Sequence, residues 1–158
     1  MIATSSHKSL PDFFSLGGFL VVTERFREIV ERLEPQTHQF LGVKLFKEKG
    51  LPIEGPRFFL NVFQKVDALV IEESNVEWID HPETTSPHLP GRILPAFRSL
   101  HRGPGPLQLV LSRQAIGTRH LWRGDRYFSA ALFCSDQLLE AIAEANLKLL
   151  RAEWVEER

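Results

Sequence analysis

Two runs of charge are where the chemistry of this chain concentrates. Residues 66–91 carry Asp67, Glu72, Glu73, Glu77, Asp80 and Glu83 with no Lys or Arg, and Trp78 stands among them. Carboxylates grouped around an aromatic suit a basic protein partner, the acids steering its approach and the ring anchoring it. Residues 92–126 have the opposite sign, with Arg92, Arg98, Arg102, Arg113, Arg119, Arg123 and Arg126 against Asp125 alone. A guanidinium offers five donors in a planar fork, suited to carboxylates and phosphates. Arg119, Arg123 and Arg126 also interleave with Trp122, Tyr127 and Phe128, the composition of a single-strand nucleic-acid platform. The plainer reading is that the aromatics enter a core, the arginines face water, and the two runs neutralise each other at about 0–1 kcal/mol per exposed pair.

Other chemistries find less support. Gly17-Gly18 and Gly103-Pro104-Gly105 match neither a dinucleotide fingerprint nor a phosphate loop with its lysine. His81, His88, His101, His120 and Cys134 show no HExxH, CxxC or His-x3-His spacing, so no metal site is expected. Cys134 lies in an apolar run just before a helix, where a thiol serves as a small hydrophobe, and no GxSxG elbow marks a serine nucleophile. No catalytic residue and no cofactor is assigned.

The elements that must position these residues follow from periodicity. Residues 1–12, MIATSSHKSLPD, are polar and aperiodic and read as a loose N-terminal arm. FFSLGGFLVV brings a turn at Gly17-Gly18 and then apolar residues into Thr23, a helix N-cap followed by Glu24. Phe26, Ile29, Val30 and Leu33 form one stripe of a helix over about 23–34, which Pro35 ends. Gln39 to Phe46 alternates, with Leu41, Val43 and Leu45 on one side, and reads as a strand. PRFFLNVFQ is a second strand, apolar on both faces and therefore central. Ala68–Glu72 and Val76–Ile79 read as a short strand pair around Glu73-Ser74-Asn75. Residues 81–106, rich in Pro and Gly, read as loop. LQLVLSR resumes alternation, AIGTRHLWRG reads as a turn and a strand, and Tyr127–Cys134 is apolar again. Ser135 caps a second amphipathic helix over about 135–146, with Leu138, Leu139, Ile142 and Ala145 buried and Asn146 as a left-handed terminus, and LKLLRAEWV is a last strand. The expected fold is α+β, one domain over residues 13–158, a mainly antiparallel sheet with two principal helices.

Composition agrees with a folded globular protein: 158 residues, 43% hydrophobic, 25% charged, net charge −1. One cysteine, no basic-apolar leader and no long apolar run make the cytoplasm the expected compartment. Near-zero net charge carries no bulk attraction to nucleic acid or membrane.

A family resemblance sharpens this. GGFLVVTERFREIVERLEP, HQFLGVKL, FFLNVFQKVDALVIEESNV, SRQAIGTRHLWR and ALFCSDQLLEAIAEANL occur in the order and spacing of a bacterial immunity-protein family encoded beside polymorphic toxins. The resemblance runs from about Phe13 to Val155, and AIGTRHLWR and LFCSDQLLEAI are its most specific pieces. Family members begin with a further strand region where this chain has MIATSSHKSLPD. What the resemblance implies is a non-enzymatic antitoxin that binds and occludes a cognate toxin domain, in systems using contact-dependent or type VI secretion delivery. It assigns no binding residues.

The residues themselves nominate Asp67, Glu72, Glu73, Glu77, Trp78, Asp80 and Glu83 as the toxin-binding face, since toxins that attack nucleic acids do so through basic clefts. The alternative is a nucleic-acid or anionic-ligand module using Arg113, Arg119, Trp122, Arg123 and Arg126.

Overall fold

The computed structural model of the protein describes residues 10–47, 50–85, 93–94, 96–103, 108–125, 131–149 and 155–158. Along the chain run β1 (Phe13–Leu16), β2 (Phe19–Thr23), α1 (Glu24–Leu33), β3 (Gln39–Val43), β4 (Arg57–Asn61) and β5 (Lys65–Val66). A 3-10 turn (Ile71–Glu73) precedes β6 (Val76–His81), β7 (Thr84–Thr85), β8 (Ile93–Leu94), β9 (Phe97–Arg102) and β10 (Val110–Leu111). There follow α2 (Arg113–Ile116), β11 (Leu121–Gly124), β12 (Leu132–Cys134), α3 (Asp136–Glu144) and β13 (Glu156–Glu157). The chain divides into two compact units, Met1–Val66 with Thr118–Glu153, and Asp67–Gly117 with Trp154–Arg158.

The first unit is built on an antiparallel sheet of order β1-β2-β4-β3. Gly17 and Gly18, at φ 57° and 86°, turn β1 into β2 in a conformation that favours glycine in two-residue hairpins. β4 is central, as its two apolar faces require. Side chains alternate across the sheet. Leu20 and Val22, Phe58 and Leu60, and Phe40 pack against the helices, while Phe19, Val21, Phe59, Asn61 and Leu41 lie on the other face. The Thr23 hydroxyl accepts the Phe26 N–H at 3.4 Å and donates to Asp12 Oδ1 at 3.1 Å, which starts α1 with Phe26, Ile29 and Val30 turned inward. Asp12 also accepts the Lys148 N–H, so the residue just before β1 is tied at two points.

Ser135 accepts the Leu138 N–H at 3.2 Å and starts α3, which buries Leu138 and Ile142. Asn146, at φ 54°, supplies the left-handed residue after the helix. A second small sheet, β12-β11-β5, adds Leu121 to a core holding Val22, Phe26, Val30, Leu60, Leu138 and Ile142. Burying such a side chain contributes about 1.5–3 kcal/mol, so this common core is what holds the two helices to the sheet.

The second unit has smaller sheets. β6 and β9 make an antiparallel ribbon, β7 and β8 another, and β10 runs parallel to β13. Among its described residues, Ala68, Leu109, Val110, Leu111 and Ile116 are buried and apolar. Ser74 Oγ donates to Val70 O at 2.7 Å and accepts from Val110 N at 2.9 Å, which pins the 3-10 turn to β10.

The α+β class, the antiparallel sheet and both capped helices are as expected, but three local expectations are corrected. Residues 81–106 are not all loop, because β7, β8 and β9 lie within them. Ala68–Glu72 does not pair with Val76–Ile79. Residues 71–73 turn in 3-10 form, Leu69 bridges Leu111, and β6 takes β9 as its partner. The segment ahead of Gly117 forms α2, capped by Ser112 and closed by Gly117 at φ 63°. The expected last strand over LKLLRAEWV falls partly outside the described residues, and the observed strand is Glu156–Glu157.

Candidate functional site

The acidic run lies in the second unit, and all seven nominated residues are exposed: Asp67, Glu72, Glu73, Glu77, Trp78, Asp80 and Glu83. Glu72 and Glu73 belong to the 3-10 turn, while Glu77, Trp78 and Asp80 are on β6. Trp78 and Ile79 are 36% and 38% exposed and, being consecutive in a strand, point to opposite faces of the β6–β9 ribbon. Glu73 Oε2 meets Arg158 Nη1 at 2.6 Å. The register sets Asp80 opposite Arg98, Glu77 opposite His101 and Val76 opposite Arg102. Along this ribbon, therefore, the acidic and basic runs are strand neighbours.

Among the described residues the rest of the basic run presents no aromatic platform. Trp122 is 1% exposed and stacks on Phe133 with ring centroids 5.9 Å apart, so it has no face to offer a base. Arg123, next to it on β11, is half-buried, and Arg119 is exposed on the approach to that strand. Arg113 opens α2 in the other unit and lies 3.8 Å from Glu157. Arg126 lies outside the described residues. The aromatic-stacking part of the nucleic-acid alternative is thereby corrected: Trp122 is buried on the face of β11 opposite Leu121, where the β11–β12 register sets it beside Phe133.

A buried polar cluster in the first unit escaped the sequence reading. Glu34, the residue that ends α1, is buried and accepts three donors: His38 Nε2 at 2.7 Å, the His120 N–H at 2.7 Å and Gln64 Nε2 at 2.8 Å. Burial alone would raise its carboxyl pKa, but the bonds from His38, His120 and Gln64 outweigh that and hold it below its ordinary value. His120 Nδ1 shares a 2.8 Å hydrogen bond with Ser135 Oγ, the cap of α3. The only sequence signal was the Glu34–His38 spacing of four, since Gln64 and His120 arrive from other elements.

This cluster has serine, histidine and a carboxylate, but its connectivity is that of a structural clamp. The carboxylate bonds the backbone of His120, and the serine hydroxyl accepts a helix N–H. His38 Nδ1 is buried without a partner, consistent with a Nε2–H tautomer donating to Glu34. Cys134 is half-buried at the end of β12, and burial, with the charge of Asp136, pushes its thiol pKa up, the reverse of an activated nucleophile. Among the described residues no group of three or more His, Cys, Asp or Glu converges to hold a metal ion. A depression of about 270 Å³ lies between α1 and α3, where Arg25 Nη2 donates to Ala145 O at 2.9 Å beside Glu28, Arg32 and Glu144.

A model of the immunity protein family Imm11 matches residues 2–151. The chain belongs to this immunity protein family. That agrees with the resemblance carried by the first helix unit and by AIGTRHLWR and LFCSDQLLEAI, and it implies a toxin-immunity role with a toxin as partner. No curated protein matches the sequence. Among the described residues no helix is long and apolar enough to cross a membrane. Within the matched region AIGTRHLWR carries His120 and Trp122, and LFCSDQLLEAI carries Ser135 and Leu138. Those pieces are thus core and clamp residues, while the acidic run supplies surface.

Proposed function

We propose that this chain is a non-enzymatic immunity protein that binds a cognate toxin domain one-to-one and occludes it in the cytoplasm of the bacterium that makes both. Its contact face is the acidic surface of the second unit, with Asp67, Glu72, Glu73, Glu77, Asp80 and Glu83 around Trp78. Family membership supports the immunity role, and the exposure of all seven residues supports the face. The toxin is encoded by the adjacent gene and travels by type VI or contact-dependent delivery. A toxin that attacks nucleic acid presents a basic cleft, and acids facing it speed docking while an aromatic fills a pocket. A stable complex of this kind buries about 1,200–2,000 Å² in total.

The test is coexpression with the protein encoded immediately upstream, scored by host survival and co-purification, followed by affinity measurements over a range of salt. Glu72→Lys with Glu77→Lys and Glu83→Lys, which leaves the Glu73–Arg158 pair intact, should slow association and flatten its salt dependence. Unchanged affinity and unchanged salt slope would remove this face from the reading.

A further inference from the structure

The four-stranded sheet ends on β3, and the phase of its hydrogen bonds fixes what that edge presents. The Thr23 N–H donates to Asp12 O at 3.0 Å, on the β1 side of β2. Backbone groups alternate between the two sides of a strand, so Leu20 and Val22 bond β4 through their partners Leu60 and Phe58. On β4 that leaves Arg57, Phe59 and Asn61 to bond Val43, Leu41 and Gln39 of β3. The N–H and C=O groups of Phe40 and Gly42 therefore point away from the sheet. Among the described residues no strand pairs with that side of β3.

Open edges are ordinarily blunted by charge, proline or a bulge. β3 has none of these: Gln39, Phe40, Leu41, Gly42 and Val43 carry no charge and keep an unbroken register with β4. Leu41 is 51% exposed on the face turned away from the helices, although Val21 on the same face is buried. Gly42 lies on the opposite face, with Phe40, and a Cβ there would meet nothing within 4 Å.

We propose that β3 pairs antiparallel with β3 of a second copy about a two-fold axis through Leu41, joining the two four-stranded sheets into one. The proposal concerns the chain by itself and does not rest on the immunity reading. Any strand can satisfy open backbone groups, but the side chains select a second copy. In the two-fold register Phe40 faces the partner's Gly42, and Gly42 faces the partner's Phe40, as bonded pairs that use every outward group of both edges. An aromatic ring beside a glycine on the neighbouring strand covers the backbone that the glycine leaves bare. Phe40 supplies the ring and Gly42 the space, so one strand paired with itself makes the match twice. Leu41 meets the partner's Leu41 at a non-bonded position, where Cα atoms approach to about 4.5 Å and side chains are closest. Lys44, the nearest charge along the chain, is three positions from the axis, which sets the two lysines about 20 Å apart. A net charge of −1 adds little repulsion between copies. A contact of five residues a side is smaller than the about 1,200 Å² of stable complexes, so the dimer is concentration-dependent.

Sedimentation equilibrium of the whole chain from about 1 µM to 1 mM measures the association. The wild type should be a reversible dimer within this range. Leu41→Lys and Leu41→Asp each set like charges across the axis and should weaken self-association about tenfold or more, while a mixture of the two should restore a dimer with one of each. Gly42→Pro removes an outward N–H and should act in the same direction, because proline is tolerated on an edge strand whose N–H faces solvent. Circular dichroism checks the fold, and Leu41→Ser serves where a charge disturbs it. A wild type still monomeric at about 1 mM overturns the proposal. So does a dimer that folded Leu41→Lys or Gly42→Pro leaves at wild-type strength, or a mixture of the Lys and Asp variants that does not associate. A monomeric wild type whose binding to the protein encoded immediately upstream is weakened by Gly42→Pro assigns the edge to a strand of that protein and equally overturns it.

Discussion

The most informative perturbation is Glu34→Gln, because one carboxylate joins four elements of the first unit. Its Oε1 accepts from Gln64 and from the His120 N–H, and its Oε2 accepts from His38. An amide of the same shape keeps one acceptor and turns an NH2 toward a donor, so at least one buried N–H loses its partner. A buried donor left unsatisfied costs about 1–3 kcal/mol, and the surviving bonds lose their charge assistance. The expected destabilisation is about 3 kcal/mol at neutral pH. It must also depend on pH. The folded carboxyl has a pKa held below the ordinary 4.5 by His38, His120 and Gln64 against the opposing effect of burial. A depressed carboxyl means that the unfolded chain takes up the proton first as pH falls. The stabilisation is therefore complete well above 4.5 and is lost as the pH drops through 4.5 toward the folded value. Urea unfolding of wild type and variant, followed by far-ultraviolet circular dichroism from neutral pH downward, measures both effects. A cost below about 1 kcal/mol, or a difference that stays constant into acid, would refute the clamp.

Thr23→Ala and Ser135→Ala should each cost about 1–2 kcal/mol in thermal or urea unfolding, with Thr23→Ser nearly neutral, because each hydroxyl caps a helix and makes a second bond. Trp122→Ala should cost about 3–5 kcal/mol in the same assay, as expected for a stacked core ring, whereas an exposed stacking residue would cost little. Cys134 should react slowly with a thiol reagent at neutral pH and much faster in urea, because burial and Asp136 disfavour the thiolate. Equal rates in the folded and unfolded chain would contradict that environment.

Much of the first unit can be read locally. Thr23 and Ser135 cap their helices because the chemistry of a helix start is a property of four consecutive residues. Asn146 closes α3 for the same reason, and the two apolar faces of β4 announce a central strand. The second unit was less legible. β6 pairs with β9 across a Pro-rich stretch whose composition marks turns but says nothing about which strands those turns bring together.

By itself, then, the amino-acid sequence determined the α+β class, the first and last helices with their caps, the segregation of charge and, through its resemblance, an immunity family. Only the tertiary structure decided that Trp122 is core and not a platform, and that Glu34 gathers His38, Gln64 and His120. It also left Phe19, Leu41 and Phe63 half-exposed. Local patterns record what a residue prefers from its neighbours in the chain. Burial, carboxylate partners and the face of a sheet depend on which distant segments pack beside it, and those contacts exist only once the chain has folded.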